Sequence, residues 1–397
     1  MGFQIRLLFL IGLITLINYF DRSAISFAIS PMQQELGLSD AEFGLILGAF
    51  GIGYLPMAFL SKSILDRMDT VRVWGISAAI WSICTLLFGF ASGFWPFLLL
   101  RVVLGLAEGL HFPALIKIVS DWLHPAYRTR AVSFVLFGMP LASFIGAPLF
   151  TSIINALDWR WMFIILGVFG LIWVLLWPLC FGKRKNPRYG EIVKRSSSET
   201  FWKMVKHPSF IGSCIAYFCF GYLAFFELLW LPGFLEKQMN ISMRYTGFIL
   251  MIPWGLTLLL MIAGGFVSDR LWAKTGSIPK ARSYLTVGGL LIAGISFFYL
   301  PYADHLYTVM AILSLGVGFG FLMNSPIYAM NLDFFPNQMA AAQGIRTGFF
   351  ALAGILSPIL TGFLVQWYGT FQLVFFLIAL VALSGSAAVF FLHRKDS

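Results

Sequence analysis

WPFLLLRVVLGLAEGLHFP, residues 95–113, is an apolar stretch interrupted by one base, Arg101, and one acid, Glu108. A membrane-spanning helix needs roughly 20 apolar residues. The expected helix continues to residue 122 and is long enough. Arg101 and Glu108 are seven residues apart, two helical turns and about 10 Å along the axis, so they share a face. That face cannot point at lipid. Four more ionisable residues lie in comparable surroundings: Asp21, Arg22, Glu227 and Arg346. A charge at the bilayer centre costs several kcal/mol unless it meets a partner or a cavity, so each marks a candidate site. Three are acids and three are bases, so they can neutralise one another inside a buried site that handles something polar.

The rest of the chain reads the same way. It has 397 residues, 59% hydrophobic and only 11% charged, with a mean hydropathy of +0.85. Soluble domains carry about 25% charged residues, so most of this surface faces the lipid bilayer. Hydropathy predicts helices over 6–30, 41–61, 72–94, 95–122, 131–156 and 160–181. After a polar stretch come 208–235, 243–271, 284–302, 306–330, 338–367 and 370–392. The first of these, carrying Asp21 and Arg22 in its second half without a small-residue cleavage site, reads as a retained span and not as a signal peptide. The fold class is therefore an all-α membrane protein of twelve transmembrane helices.

Charge sets the expected orientation and explains the net charge of +10. Apart from the intramembrane Arg22, Arg101 and Arg346, all Lys and Arg residues except Arg160, Lys237 and Arg244 fall in the termini and the even-numbered loops. By the positive-inside rule both termini are cytoplasmic. The basic excess is topological and calls for no nucleic acid. GKRKNPRYGEIVKRSSSET, residues 182–200, reads as a linker. It divides the chain into an N-terminal six-helix bundle (1–181), a cytoplasmic linker (182–207) and a C-terminal six-helix bundle (208–397). Phe201–Lys206 is expected to lie at the interface as a short amphipathic helix. Cys84, Cys180, Cys214 and Cys219 lack metal-ligand or disulfide spacing and read as packing residues. No P-loop and no nucleophile–base set appears, so the chain reads as neither an ATPase nor any other enzyme, without cofactor or metal. Energy for uphill work would come from an ion gradient.

Loop 2–3 holds Lys62-Ser-Ile-Leu-Asp66-Arg67, and loop 8–9 holds Gly265-Phe-Val-Ser-Asp269-Arg270. An Asp-Arg pair at matching positions in both halves is the mark of parallel repeats. Together these features resemble the major facilitator superfamily, whose Gly-x-x-x-Asp-Arg motif is complete in the second half. Lys62 and Asp69 stand where that family usually has glycines. A narrower resemblance rests on Asn18-Tyr-Phe-Asp21-Arg22-Ser-Ala-Ile-Ser26, on Arg101 through Pro113, on Asp158-Trp-Arg-Trp161, and on Trp230-Leu-Pro232. This is similar to the anion:cation symporter family of sugar-acid and phthalate permeases and vesicular glutamate and sialic acid carriers. The resemblance implies the major facilitator fold and proton-coupled symport of a small organic anion by alternating access. It implies that Asp21 and Glu108 carry protons and that Arg22, Arg101 and Tyr54 shape the substrate site. It also implies a bacterial inner-membrane protein, expected here to act as a monomer.

Three readings of the residues remain open at this point. Arg101–Glu108 and Asp21–Arg22 are either site residues or internal salt bridges between helices, and Arg101 also suits a gate. Arg22 is the better carboxylate ligand, because a planar guanidinium binds carboxylates through two hydrogen bonds. Glu227 and Arg346, which the resemblance does not supply, are expected to pair as a second half-site, a gate or a structural bridge. If they touch substrate, the cargo is zwitterionic or a larger polycarboxylate such as a siderophore, taken up or exported. Asn18, Tyr19, Tyr54, Tyr222, Asn324 and Tyr328 complete the candidate lining, and His111 is either a relay or a structural histidine.

Overall fold

In the computed structural model, residues 2–181, 198–277, 279–334 and 339–393 are described, and among them there is no strand. Among the described residues twelve helices are long and apolar enough to cross a membrane. We number them as spans 1 to 12: Gly2–Phe27, Asp40–Arg67, Thr70–Phe88, Phe94–Trp122, Phe137–Ala156, Trp159–Phe181, Pro208–Leu229, Met243–Thr275, Pro279–Tyr302, Leu306–Ile327, Ala342–Tyr368 and Gln372–Leu392. Span 3 stops at Phe88 and not at residue 94, because Gly89 ends the helix and Gly93, with φ of 79°, turns the chain into span 4.

Span boundaries follow local chemistry. Ser39 and Glu42 form a reciprocal capping box that opens span 2. Asp69, at one of the positions where the superfamily usually has glycine, caps span 3 by accepting from Val71 N at 3.1 Å. Lys62, at the other, pairs with Asp66 one turn on at 2.5 Å.

Spans 1, 4, 7 and 10 are the ones in which the helix is interrupted close to further helix. Gly2–Phe27 is followed after Ala28 by Ile29–Leu36. Phe94–Glu108 is followed after Gly109-Leu110 by His111–Trp122. Pro208–Leu229 is followed after Trp230 by Leu231–Lys237, and Leu306–Leu322 after Met323 by Asn324–Phe334. A proline stands two or three residues past every interruption: Pro31, Pro113, Pro232 and Pro326. Each lacks the N–H that would bond four residues back, and its ring crowds that carbonyl. Proline alone is not sufficient, since Pro56, Pro140, Pro148, Pro178, Pro253 and Pro358 sit inside continuous helices.

The chain divides into two compact units, Met1–Val193 with Ile241–Phe248, and Lys194–Asn240 with Ile249–Ser397. Within the first, span 1 packs on spans 5 and 6, span 3 on spans 4 and 6, and span 2 on span 4. Within the second, span 7 packs on 11 and 12, and span 9 on 10 and 12. Span 8 meets span 10 where Gly264 lies against Leu322 and Gly318 against Leu256 and Leu260. Adding six to every pair of the first unit gives a pair of the second, which is the parallel repeat expressed as packing. The short helix Ser198–Val205 belongs to the second unit, where Met204 packs with Phe210, Cys214 and Ala342 while Trp202 is exposed. The remainder of the expected linker, 182–197, lies outside the described residues.

Opposite the basic loops of the first unit, three connections are tied at one point. Arg160 donates to Glu35 Oε1 from Nη2 at 2.8 Å and from Nε at 3.2 Å, and through Nη1 to the carbonyls of Gly89 and Ala91. Trp159 donates to the other Glu35 oxygen at 2.7 Å. The hydrogen bonds from Arg160 are the main cause that holds the Glu35 carboxyl below the usual range, and Trp159 adds to them against the cost of burial. A carboxylate with a lowered folded pKa contributes stability above its unfolded value, about 4.3 for glutamate, and loses it as pH falls through the folded one. Acidification below about pH 4 should therefore lower the amide protection factors, taken relative to the unstructured rate at each pH, at residues 29–36 and 89–93. Arg160→Leu should exchange fast at every pH; protection that is indifferent to pH in the unaltered protein would contradict the latch.

Candidate functional site

The first unit brings its intramembrane charges into one cluster. Asn18, Tyr19, Asp21 and Arg22 come from span 1, Phe50 and Tyr54 from span 2, Thr85 from span 3, and Arg101 and Glu108 from span 4. Spans 2 and 4 cross with their backbones touching. A Cβ on Gly105 would fall on the carbonyl oxygen of Phe50, and one on Gly53 on that of Val102. This contact fixes where the charged side chains of span 4 point. Ser77 of span 3 adds a hydrogen bond to Ala107 O at 2.5 Å, bracing the turn that carries Glu108.

Arg22 Nε donates to Glu108 Oε2 at 2.5 Å. The guanidinium of Arg22 lies 5.4 Å from the ring centre of Tyr19, 5.0 Å from Phe50 and 5.1 Å from Tyr54. Such a cage attracts the cation through the ring quadrupoles. Neither of the salt bridges considered from the sequence forms: Glu108 pairs with Arg22 and not with Arg101, and Arg22 does not pair with Asp21. Neighbours in sequence diverge by about 100° around a helix, which turns Asp21 away from Arg22.

Arg101 is 1% exposed. Its Nη2 donates to Leu47 O at 3.2 Å and its Nε to Ile46 O at 3.4 Å, and it faces the same Phe50 ring at 5.1 Å. The side chain therefore ties span 4 to the backbone of span 2.

Asp21 is 2% exposed, and neither carboxylate oxygen has a hydrogen-bond partner; Thr85 stands beside it outside hydrogen-bond geometry. Asn18 is fully buried with both amide atoms unsatisfied, and Glu108 Oε1 is unsatisfied as well. His111, one turn beyond Glu108, accepts from Trp74 Nε1 at 3.3 Å through Nδ1, which places its own proton on Nε2. The rings of Trp74 and Trp81 flank it. That packing is the structural-histidine alternative.

The second unit separates what the sequence suggested would pair. Arg346 of span 11 donates from Nη1 to Ile327 O at 3.1 Å and lies 4.2 Å over the ring of Tyr217. Glu227 follows Tyr217 by ten residues on span 7, about 15 Å along the axis. Spans 7 and 11 run side by side in the same direction, with Phe225 against Gly354 and Trp230 donating to Pro358 O. Glu227 is thus level with residues well past Arg346, and no Glu227–Arg346 bridge forms. Tyr222 is buried with its hydroxyl unsatisfied, and Asn324 is half-buried at the start of the helix after the Met323 interruption. The side chain of Tyr328 lies outside the described ones.

Residues 11–337 and 281–397 match the family model of the Major Facilitator Superfamily. The chain belongs to that superfamily: it is an integral membrane transporter and not an enzyme. Among its relatives is the hexuronate transporter of Bacillus subtilis, 30% identical over 397 residues and covering 97% of this chain and 93% of that protein. Another is the D-galactonate transporter of Escherichia coli, 27% identical over 405 residues, covering 96% and 93%. A solved bacterial homolog of the human lysosomal transporter Spinster matches 99% of this chain and 95% of that one, with a TM-score of 0.76 at 18% identity. That last likeness shows the fold alone.

Proposed function

We propose that this protein is a proton-coupled symporter of a small organic anion, working by alternating access in a bacterial inner membrane with both termini cytoplasmic. The observation that carries the reading is the buried Arg22–Glu108 pair beside the unpartnered Asp21. Of the Arg22 donors, Nε alone has a hydrogen-bond partner among the described residues, so the two Nη groups stand available to a carboxylate. While Glu108 is ionised it occupies the guanidinium. A proton on Glu108 weakens that bond and hands the guanidinium to a substrate carboxylate, so proton and anion load together. Asp21, buried without a hydrogen bond or an ion pair, costs several kcal/mol as an anion and is relieved by a proton.

The relatives' names support a sugar acid as cargo, and the remaining groups suit one. The unsatisfied amide of Asn18 offers donors and an acceptor to hydroxyls, and the rings of Tyr19 and Tyr54 offer an apolar face. A larger or zwitterionic cargo is expected only if Glu227 and Arg346 touch substrate; with the two residues apart they offer no joint half-site, and the relatives' names favour the sugar acid.

The test is uptake of labelled hexuronate by proteoliposomes. An inward proton gradient should drive accumulation, and uptake indifferent to the gradient would overturn the reading. Arg22→Lys keeps the charge but loses the planar fork. Forfeiting one charge-assisted hydrogen bond, worth about 1.5–3 kcal/mol, should weaken hexuronate binding about ten- to hundredfold. Unchanged affinity in that variant would remove Arg22 from the binding site.

A further inference from the structure

Glu227 is a second carboxylate without a partner, outside the cluster of the first unit. It is 1% exposed, and neither oxygen has a hydrogen-bond partner. Leu223, one turn earlier on the same face, lies against Gly320 of span 10, with Ala293 of span 9 beyond it. The neighbouring Phe226 packs on Phe297 and Phe375, and Trp230 has spent its N–H on Pro358. The carboxyl is therefore set in a wall of rings and aliphatic groups.

Among the described residues no basic side chain pairs with it; Glu236 and Lys237 stand at the far end of the helix that follows Trp230, nine and ten residues on. Spans 10 and 12 contain no charged residue, and the charges of span 9, Lys280 and Arg282, stand at its opening turn. Those of span 8, Arg244, Asp269, Arg270 and Lys274, stand near its ends, and Arg346 is the charged residue of span 11, at the level of Tyr217. On span 7 the remaining titratable groups are Tyr217, Tyr222 and the two cysteines, Cys214 and Cys219. Coordination of a hard cation needs several converging oxygens, and among the described residues no His/Cys/Asp/Glu cluster provides them. Such a surrounding suits a proton better than a metal cation.

We propose that Glu227 is a third proton-carrying carboxylate, loaded and unloaded in the second bundle, so that each anion moves with one more proton than the Asp21–Glu108 cluster carries. The inference rests on the proton-coupled reading above, and its test separates the two. In proteoliposomes held at zero membrane potential with a gradient of one pH unit, each coupled proton multiplies the limiting hexuronate accumulation about tenfold. Glu227→Gln should lower that limit about tenfold and leave accumulation above equilibrium, and Asp21→Asn, which removes a different proton of the three, should do the same; an unchanged limit in Asp21→Asn would count against the first-bundle reading alone.

A second readout needs no substrate. Infrared difference spectra of the full protein, taken across pH, should contain a protonated-carboxyl band that Glu227→Gln deletes. Glu227→Asp, which keeps the carboxyl, should shift that band, and it serves if the glutamine variant does not fold. A band that vanishes in Glu227→Gln while Asp21→Asn and Glu108→Gln leave the spectrum intact would support Glu227 and overturn the reading of the first bundle. An unchanged accumulation limit together with an unchanged spectrum in Glu227→Gln, or a spectrum that Glu227→Asp leaves unshifted, would overturn this proposal and leave the first-bundle reading standing.

Discussion

Glutamine at position 108 is expected to abolish accumulation of the anion while leaving exchange of labelled for unlabelled anion across the membrane. Glu108 is the counter-ion of Arg22 and is buried with it. Glutamine keeps the shape of the side chain but cannot release a proton, so the guanidinium is permanently available to cargo. Binding and the conformational change survive, and the linkage to protons does not. Stability should fall as well, since breaking a buried pair by removing one partner costs about 3–5 kcal/mol. A bound anion replaces the missing charge, so the variant should gain more thermal stability from hexuronate than the unaltered protein does. Accumulation that persists in Glu108→Gln, or exchange that disappears from a well-folded variant, would contradict this role.

Valine at position 105 should prevent assembly of the first bundle. Overpacking a core costs about 1–3 kcal/mol when side chains can give way, but here the obstacle is the backbone oxygen of Phe50. Two spans would have to move apart, with loss of the Arg101 hydrogen bonds to Ile46 and Leu47 and of the register that sets Glu108 against Arg22. Little folded protein should be recovered, without transport. Gly288→Ala is the control, because nothing lies within 4 Å of a Cβ there. Alanine should cost nothing at that helical site and stabilise by about 0.5–1 kcal/mol. Recovery and transport in Gly105→Val equal to that control would refute the crossing.

The membrane architecture was legible because twenty-residue apolar runs and loop charge are averaged signals, insensitive to any one contact. Partner choice was not, because it depends on rotation and level along helices that the sequence leaves free. Arg101 and Glu108 do share a face, yet Glu108 takes Arg22 from another helix, and Arg101 spends its donors on carbonyls that hydropathy cannot see. Glu227 and Arg346 matched in charge but sit at different depths, a difference that only the parallel packing of spans 7 and 11 reveals. Some of the missed detail did have a signal. Trp74, Ser77, Trp81 and Thr85 recur at helical spacing along span 3, a polar and aromatic face that hydropathy averages away. The interruptions after Phe27, Glu108, Leu229 and Leu322 are each followed closely by a proline, but six other prolines leave their helices continuous. Glu35 showed nothing that singled it out, since its partners lie over a hundred residues away.

The central claim is that proton and anion load together on the Arg22–Glu108–Asp21 cluster. It is tested most directly by recording the external pH of a weakly buffered proteoliposome suspension as hexuronate is added without any imposed gradient. The account predicts that the medium turns alkaline as anion and protons enter together, and that the change is smaller in Asp21→Asn and absent from Glu108→Gln, where the anion no longer waits on a proton. Entry of labelled hexuronate with no alkalinisation would contradict it.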